Sequence, residues 1–396
     1  MKTMKHLFYA GLALTALASC SQDETTNVDK TGAIGFRSSL GKTTRAVTTL
    51  TNMGTFNVTA VPTAGGANYF TNLAVNDAGG GTTWNTAATY YWPGTSSLDF
   101  TAYAPTSISP KVSIATGAGN QKITGFEVDA TVANQLDVVA AFNSGNKAKV
   151  VGSSTFGAAG VPMNFKHILS QIEVQAKCSN ANLRVQVVGV KLGNVNSKGD
   201  FAFPQAETTT SYNVPRTNWG NLTASADFGV ESAAPVTAVT LNNTAQKIMF
   251  GTDNFMMIPQ QLTAYNAASA TTGSYIGVLC RMDINDGLGN YTPLYPSTAT
   301  TGYAYAAVPI GTEWVPGKKY IYVIEFGNGS GSGSHGGGGI VPPNQNNPNP
   351  GGATTTPTTP TLPTSPSVPG TPILDQPIKF TVTVENWTNQ TENVNM

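Results

Sequence analysis

Leu98-Asp99-Phe100-Thr101-Ala102-Tyr103 is a stretch in which apolar residues occupy alternate positions. This period of two predicts a β-strand that buries one face. The same alternation recurs along the chain, whereas a helical period is rare. The further alternating stretches are Phe56–Val61, Ile172–Ala176, Val185–Val188 and Tyr320–Ile324, and a shorter one begins at Ile34–Phe36. Gly, Pro, Asn and Ser separate these strands, so the sequence predicts an all-β fold built from β-sandwiches.

The composition excludes several classes of function. Of 396 residues only 11% are charged, against about 25% in an average soluble protein. The formal net charge is +0 and there is no run of Lys or Arg, so nucleic acid is not an expected partner. Apart from the N-terminal 20 residues, two cysteines remain, Cys178 and Cys280. They could form a disulfide outside the cytoplasm or stay as two buried thiols.

The N-terminus resembles a bacterial lipoprotein signal. Lys2 and Lys5 precede the apolar run Leu7–Leu17, which is too short to span a bilayer as a helix, and Ala18-Ser19-Cys20 follows. We expect residues 1–20 to be removed up to Cys20, which would carry fatty acids such as palmitate. The alternative is an ordinary secretory signal that contains a cysteine. The acidic residues after Ser21-Gln22 resemble the surface-export signal of Bacteroidetes lipoproteins, which implies an exposed position on the cell outer membrane.

The C-terminal end of the chain changes composition abruptly. Residues 328–376 are rich in Gly, Ser, Pro, Thr and Asn and are expected to form a solvated linker. In residues 377–396 alternation returns, and one face of the predicted strand carries Ile378, Phe380, Val382 and Val384. A single strand is not stable in water, so this one must join a sheet, either its own or that of a neighbouring molecule.

Catalytic and metal-binding motifs are not found in the sequence. Besides His6 in the signal and His335 in the linker there is only His167, which cannot build a multi-histidine zinc or iron site. No Gly-x-Ser-x-Gly motif accompanies it, so we interpret His167 as a locally hydrogen-bonded residue at a strand end. We expect no enzyme activity, no catalytic residue, no bound metal and no cofactor.

Three other motifs have structural interpretations. Asp283–Gly287 resembles the start of a calcium loop, but the twelfth position is Leu294 instead of Glu. Asp286-Gly287 is therefore predicted to be a hairpin turn between strand-like stretches on either side. Gly79-Gly80-Gly81 lacks the Lys of a phosphate-binding loop and is predicted to be an ordinary loop. Tyr90-Tyr91-Trp92 could stack on a sugar but is more typical of packing at a sheet edge.

A series of loose motifs, taken in order, is similar to the fimbrillin family of Bacteroidetes, the subunits of type V pili. The motifs are Tyr90–Gly94, Leu98–Pro105, Phe165–Ile172, Met257–Gln260 and Trp314–Tyr320. Together with the N-terminal signal and the final strand, the resemblance spans nearly the whole chain. It implies two tandem transthyretin-like β-sandwich domains, which we place at residues 46–205 and 206–327.

The resemblance also implies a mechanism of assembly. Residues 21–45 would be a lipid tether that includes a removable first strand with Ile34 and Phe36. An Arg-specific protease would cut after Arg45 and leave Ala46 as the new N-terminus, with Arg37 and Lys42 as rival basic sites. The emptied groove would take the C-terminal strand of another fimbrillin subunit by β-augmentation.

The long linker departs from the family pattern of stalk subunits. Two dockings of the C-terminal strand therefore stay open, and the apolar row with its polar back favours donation to a neighbour over docking on its own sheet. Three functions follow: a structural pilus subunit, a pilus tip or surface adhesin that binds a host glycan or protein, and a lipid-anchored sugar-binding protein. The first is favoured.

Overall fold

The structure, a computed structural model, describes residues 32–40, 48, 50–94, 96–113, 119, 121–146, 160–234, 236–251, 253–266, 268–270, 272–285, 287–296, 302–327, 339–340 and 379–386. Within these residues the chain is built from β-strands, with one α-helix (α1, Leu50–Met53) and a few turns of 3-10 helix. None of the helices in the described part is long and apolar enough to cross a membrane.

In chain order the strands are β1 (Phe36–Leu40), β2 (Thr55–Pro62), β3 (Phe70–Asp77), β4 (Trp84–Thr86), β5 (Leu98–Ala104), β6 (Val112–Ser113), β7 (Lys122–Glu127), β8 (Val139–Gly145), β9 (Val161–His167), β10 (Ser170–Cys178), β11 (Leu183–Ala202), β12 (Trp219–Glu231), β13 (Val239–Thr240), β14 (Gln246–Lys247), β15 (Phe255–Met257), β16 (Tyr275–Asn285), β17 (Tyr291–Tyr295), β18 (Ala304–Pro309), β19 (Lys318–Phe326), β20 (Gly339–Ile340) and β21 (Lys379–Asn386).

The N-terminal strands form a closed barrel in the order β1-β4-β3-β2-β5-β8-β9. Strand β1 closes the ring, since it pairs antiparallel with β4 on one side and parallel with β9 on the other. The inward faces of these strands carry large apolar side chains, with Phe56, Val58 and Phe100 fully buried. The barrel interior is therefore a packed core rather than a channel.

The remaining strands form two facing sheets. One has the order β14-β10-β19-β21, with β15 also paired to β10, and the other has the order β20-β18-β16-β11-β7-β6 with β12, β13 and β17 beside it. Their shared core includes Val174 of β10, Tyr322 of β19 and Val190 of β11, all with no exposed surface. Tyr103 and Ala140 of the barrel belong to the same cluster, so the core of the sheets continues onto two barrel strands.

The all-β prediction is confirmed, but the N-terminal domain closes into a barrel rather than an open sandwich. The reason is the double pairing of β1, which alternation cannot reveal because it identifies the faces of a strand and not its partners. The predicted domain boundary at residue 205 also differs from the sheet organisation. The last barrel strand ends at His167, and β10 and β11 belong to the C-terminal sheets, as do β6 and β7.

The predicted hairpin near Asp286-Gly287 is present. Strands β16 and β17 pair antiparallel, and Gly287 adopts a φ of 80° that a side chain would disfavour. Asp283 is fully buried and accepts hydrogen bonds from Arg184 at 2.8 Å and from Arg281 at 3.2 Å. The carboxylate of this residue within β16 is therefore already bound by two arginines.

Candidate assembly site

The slot occupied by β1 is the first part of the candidate site. The predicted removable residues Ile34 and Phe36 are 5% and 6% exposed. The Ile34 N–H donates to the Tyr90 carbonyl at 2.7 Å, and the Val161 N–H donates to the Gly35 carbonyl at 2.8 Å. The chain thus enters the barrel held on both sides by backbone hydrogen bonds.

Phe36 fills the centre of the slot. Its ring makes edge contacts with Phe56 at 6.2 Å and with Phe100 at 5.8 Å between ring centroids. Such aromatic pairs add to the free energy gained by burying apolar surface. Phe36 therefore connects the early strand to the centre of the barrel core.

The strand β9 forms one wall of the slot. Phe36 lies beside Val161, Ser38 beside Met163 and Leu40 beside Phe165 in the parallel register. The three β9 residues are buried apolar side chains. Sequence reasoning identified Phe36 but missed Ser38, Leu40 and this wall, although Val161–His167 alternates in the sequence. The missing signal was the parallel pairing, which alternation does not encode.

Ser38 does not match the apolar wall. Its hydroxyl oxygen is buried and has no hydrogen-bond partner among the described residues. A buried hydroxyl without a partner is destabilising because it loses its bonds to water. The third inward position of β1 therefore places a polar group beside an apolar wall.

The entrance to the slot is narrow. Gly160 has a φ of 85°, and a Cβ atom there would lie 2.4 Å from the Gly35 carbonyl carbon. Only glycine at position 160 allows the backbone of the incoming strand to approach this closely. This close approach fixes the position along β9 at which the incoming strand begins to pair.

Without β1 the barrel would have two open edges. Strands β4 and β9 would each present unpaired backbone groups, and the buried side chains around Phe36 would meet water. Such a groove binds an extended strand by main-chain hydrogen bonds and by pockets for alternate side chains. A barrel that had lost β1 would therefore present a groove of this kind.

The predicted processing residues Arg45 and Ala46 lie outside the described residues, as do Lys42 and the lipidation residue Cys20. The rival site Arg37 lies within β1 on its exposed side. Downstream, the Thr48 N–H donates to the Asp137 carboxylate at 2.7 Å. The chain is thus attached again soon after the predicted cut.

His167 contacts the same Asp137 carboxylate. Its Nδ1 atom lies 2.9 Å from the Asp137 carboxylate, and both side chains are buried at the end of the barrel next to the sheets. The prediction of a locally bonded histidine at a strand end is confirmed. The Asp137 carboxylate thus connects the backbone at Thr48 to the last residue of β9.

The C-terminal strand is the second part of the candidate site. Strand β21 pairs antiparallel with β19 of the same chain, with Phe380 opposite Ile324, Val382 opposite Tyr322 and Val384 opposite Tyr320. The structure therefore places the strand on its own sheet, which sequence analysis treated as the less favoured of two dockings. Ile378 lies outside the described residues.

Packing of β21 on its sheet is incomplete. Phe380 and Val382 are half-buried, and Val384 is 53% exposed. The ring of Phe380 lies 6.3 Å from that of Tyr322, whose hydroxyl accepts a hydrogen bond from Trp314 at 3.0 Å. Burial raises the pKa of Tyr322 to about 12. The strand thus lies at the edge of the core of the C-terminal sheets, which is already well packed around Tyr322 and Trp314.

Charged residues also lie where β19 pairs with β21. Lys319 of β19 forms an ion pair with Glu173 of β10 at 2.8 Å and lies opposite Glu385 of β21. Burial alone would raise the pKa of Glu173, but hydrogen bonds from Lys319 and Gln175 bring the net pKa below its ordinary value. The lysine is therefore already paired within the sheet. Glu385 lies at the surface, so its charge adds little to the stability of the docked β21.

The remaining predicted motifs have packing roles. Trp92 is buried and its ring makes an edge contact with that of Phe100 at 5.6 Å, so the aromatic run supports the barrel core. The Gly79–Gly81 loop is a turn in which the Asp77 carboxylate accepts hydrogen bonds from the N–H groups of Gly79 and Gly81. Both motifs match their structural interpretation.

The two cysteines are buried free thiols. Cys178 and Cys280 do not form a disulfide, which resolves the two alternatives left by the sequence. Burial raises the pKa of both thiols. Among the described residues there is no group of three or more His, Cys, Asp or Glu that could hold a metal ion.

Comparison with known proteins identifies the family of the chain. The profile of the fimbrillin-like family matches residues 44–342. No match was found among curated proteins. The match covers most of the chain, and the chain belongs to the fimbrillin-like family.

A solved structure shares the fold at low sequence identity. A fimbrial protein from Bacteroides vulgatus is 16% identical, with a TM-score of 0.54 over 90% of this chain and 99% of that one. A protein assigned to cell adhesion from Bacteroides ovatus is 16% identical, with a TM-score of 0.41 over 75% and 92%. A fimbrial assembly protein from Parabacteroides distasonis is 10% identical, with a TM-score of 0.35 over 75% and 92%.

Proposed function

We propose that the protein is a structural subunit of a surface pilus that supports adhesion, exported as a lipoprotein, cut after Arg45 and polymerised by β-strand donation. The observation that carries the proposal is the position of β1. This strand closes the barrel by pairing on both sides, yet it precedes the basic residues Lys42 and Arg45 in the sequence. Its partners are other fimbrillin subunits, an Arg-specific protease and, before processing, the outer membrane.

Export as a lipoprotein is tested at Cys20. We expect Cys20→Ala to abolish labelling by radioactive fatty acids and delivery to the cell surface, because the thiol is the only acceptor that a lipoprotein signal provides. Surface delivery is measured by protease accessibility on intact cells. Cys178→Ala is the matched control, since that thiol is buried in the fold and should leave labelling unchanged. Labelling that persists in Cys20→Ala would show an ordinary secretory signal.

Processing is tested on the mature chain from assembled fibres. We expect mass spectrometry to find Ala46 as the N-terminus, because Arg45 lies in a polar segment directly after the strand that must leave. Arg45→Gln should shift the chain to a longer form, while Arg37→Gln should not. A mature chain in fibres that still begins at Cys20 would contradict a stalk role and would indicate an anchor subunit.

The docked position of β21 favours a second candidate function. A pilus tip subunit or surface adhesin accepts a strand without donating its own, and β21 lies on its own sheet in this structure. Such a protein would bind a host glycan or protein through another surface. The third hypothesis, a lipid-anchored sugar-binding protein, would be favoured by a mature chain that is uncut and keeps its lipid.

A further inference from the structure

We propose that Lys191 and Asp227 join their side chains in an isopeptide bond, an amide between the lysine Nζ and the aspartate Cγ that ties β11 to β12. The Nζ atom lies 2.6 Å from Asp227 Oδ2. The two strands already pair antiparallel along the length of β12. The inference concerns the C-terminal sheets alone and does not depend on the proposed assembly by strand exchange.

The lysine is buried on the outer face of the sheet that contains β11 and β16. Lys191 is 5% exposed. Its neighbours Val190 and Leu192 belong to the core shared by the two sheets, so Lys191 points to the opposite face. A buried ammonium is unfavourable without a partner, and transfer of one proton to the carboxylate replaces two charges by a neutral amine and a carboxylic acid. The unprotonated amine is the nucleophile that amide formation requires.

Glycines give the lysine room to reach its partner. Lys191 lies opposite Gly229 of β12 and Gly277 of β16. A Cβ atom at Gly277 would lie 3.0 Å from Cδ1 of Tyr305 and 3.7 Å from Cβ of Lys191. The ring of Tyr305 therefore occupies the space beside the lysine that a side chain at position 277 would need.

The carboxylate of Asp227 is oriented by the backbone. The Asn194 N–H donates to Asp227 Oδ1 at 2.9 Å, while Oδ2 faces the lysine. Asn194 has a φ of 55° and lies where the register of β11 on β12 shifts between Leu192 and Val195. An N–H group at this position stabilises the negative charge that develops on Oδ1 when Cγ becomes tetrahedral.

The proposed reaction is a condensation that releases one water. A proton passes from Nζ of Lys191 to Oδ2 of Asp227, and the lone pair of the neutral amine attacks Cγ. The intermediate carries its negative charge on Oδ1 and its positive charge on Nζ. Nζ then loses a second proton, the Oδ2 hydroxyl gains one and leaves as water, and Oδ1 becomes the carbonyl of the amide. Nothing is oxidised or reduced, so no co-reactant is needed.

We assign the relay of the second proton to Glu231. This residue lies two positions after Gly229 on β12, as Asp227 lies two positions before it, so both are diagonal neighbours of Lys191 on one face. Diagonal neighbours are within reach of long side chains. Burial raises the pKa of Glu231 to about 7, so its carboxyl group can both give and take a proton near neutral pH.

Two tyrosine rings shield the same face. The hydroxyl oxygens of Tyr275 and Tyr305 are buried and have no hydrogen-bond partner among the described residues. The Tyr275 ring lies so close over Gly193 that a Cβ atom there would be 2.1 Å from its Cζ atom. Exclusion of water by these rings favours condensation of the amine and the acid over hydrolysis of the product.

The test is a peptide map of the full chain, denatured and digested with trypsin. Trypsin does not cut after a lysine whose Nζ is acylated. We therefore expect peptide 185–198, uncut at Lys191, to be joined to peptide 217–247, with a mass lower by one water than the sum of the two. The control pair in the same digest is Lys319 and Glu173, which form an ion pair at 2.8 Å and should yield no linked peptide.

Two variants separate the bond from a simple ion pair. Lys191→Arg keeps a cation beside Asp227 but removes the nucleophile, so the linked peptide should be lost completely. Glu231→Gln should lower the linked fraction at least about tenfold at equal times after synthesis, because the proton relay is lost. An unchanged fraction in Glu231→Gln would overturn the role of Glu231.

The bond itself is overturned if the unaltered chain yields peptide 185–191, cut after Lys191, together with peptide 217–247 at its ordinary mass. This measurement needs no variant to fold. A linked peptide that persists in Lys191→Arg, or that joins Lys319 to Glu173 instead, would overturn the assignment to Lys191 and Asp227.

Discussion

Replacing Phe36 with alanine is expected to lower the free energy of unfolding of the barrel by about 3–5 kcal/mol. Phe36 is 6% exposed and contacts the rings of Phe56 and Phe100, so the truncation leaves a cavity that these neighbours cannot fill. Urea denaturation followed by tryptophan fluorescence measures the effect, because Trp84 and Trp92 lie in the same core. The chain should be measured uncut, so that β1 remains in its slot.

Phe380→Ala is the matched control for that change. The same side chain is removed, but Phe380 is half-buried on the edge strand β21, so the loss of stability should be clearly smaller. Equal decreases in the free energy of unfolding for the two variants would mean that β1 and β21 contribute equally to the stability of the monomer. An unchanged unfolding curve for Phe36→Ala would contradict the role of β1 in closing the barrel.

Val382→Asp is expected to abolish polymerisation after the cut. In the slot the carboxylate would lie among the buried apolar side chains of the barrel, and an uncompensated buried charge costs roughly 3–5 kcal/mol. This corresponds to a loss of more than about 100-fold in the affinity of the strand for its groove. Light scattering and electron microscopy of the trypsin-cut protein measure the outcome.

Thr383→Asp is the control for Val382→Asp, since it adds the same charge to the exposed face of β21. It should polymerise like the parent. The uncut monomers distinguish the two roles of the strand. Val382→Asp should detach β21 with little change in melting temperature if the strand is made for donation. A large decrease before any cut, together with normal fibres afterwards, would show that the strand serves its own sheet.

Much of the strand content could be predicted from the sequence, because burial of one face imposes a period of two that survives in the residues. Phe56–Val61, Leu98–Tyr103 and Tyr320–Ile324 all lie in strands that the alternation identifies. The antiparallel pairing of β16 with β17 was predictable because Asp-Gly favours a reversal of the chain, but their loop is longer than the two-residue turn that this pair predicts. These features depend only on contacts within a few residues along the chain.

The partners of the strands could not be predicted in the same way. The parallel pairing of β1 with β9 joins residues that are far apart in sequence, and no local pattern records it. For the same reason it was not apparent that the last barrel strand ends at His167, since Ile172–Ala176 alternates equally well in either sheet. The orphaned hydroxyl of Ser38 is likewise a property of its surroundings, and a serine in a short strand gives no sign of it.

The attachment of Thr48 to Asp137 determines how the proposed proteolytic cut would change the rebinding of β1. In the intact chain β1 is tethered a few residues from this fixed point, so a displaced strand returns at an effective concentration in the range of mM. Once the peptide bond is broken as proposed, a departing strand is no longer covalently joined to its subunit and stays with the membrane through its lipid. In the proposed pathway, cleavage would thus prevent β1 from rebinding its own subunit. Subunit addition would then be irreversible even if the exchange of strands changes the free energy only modestly.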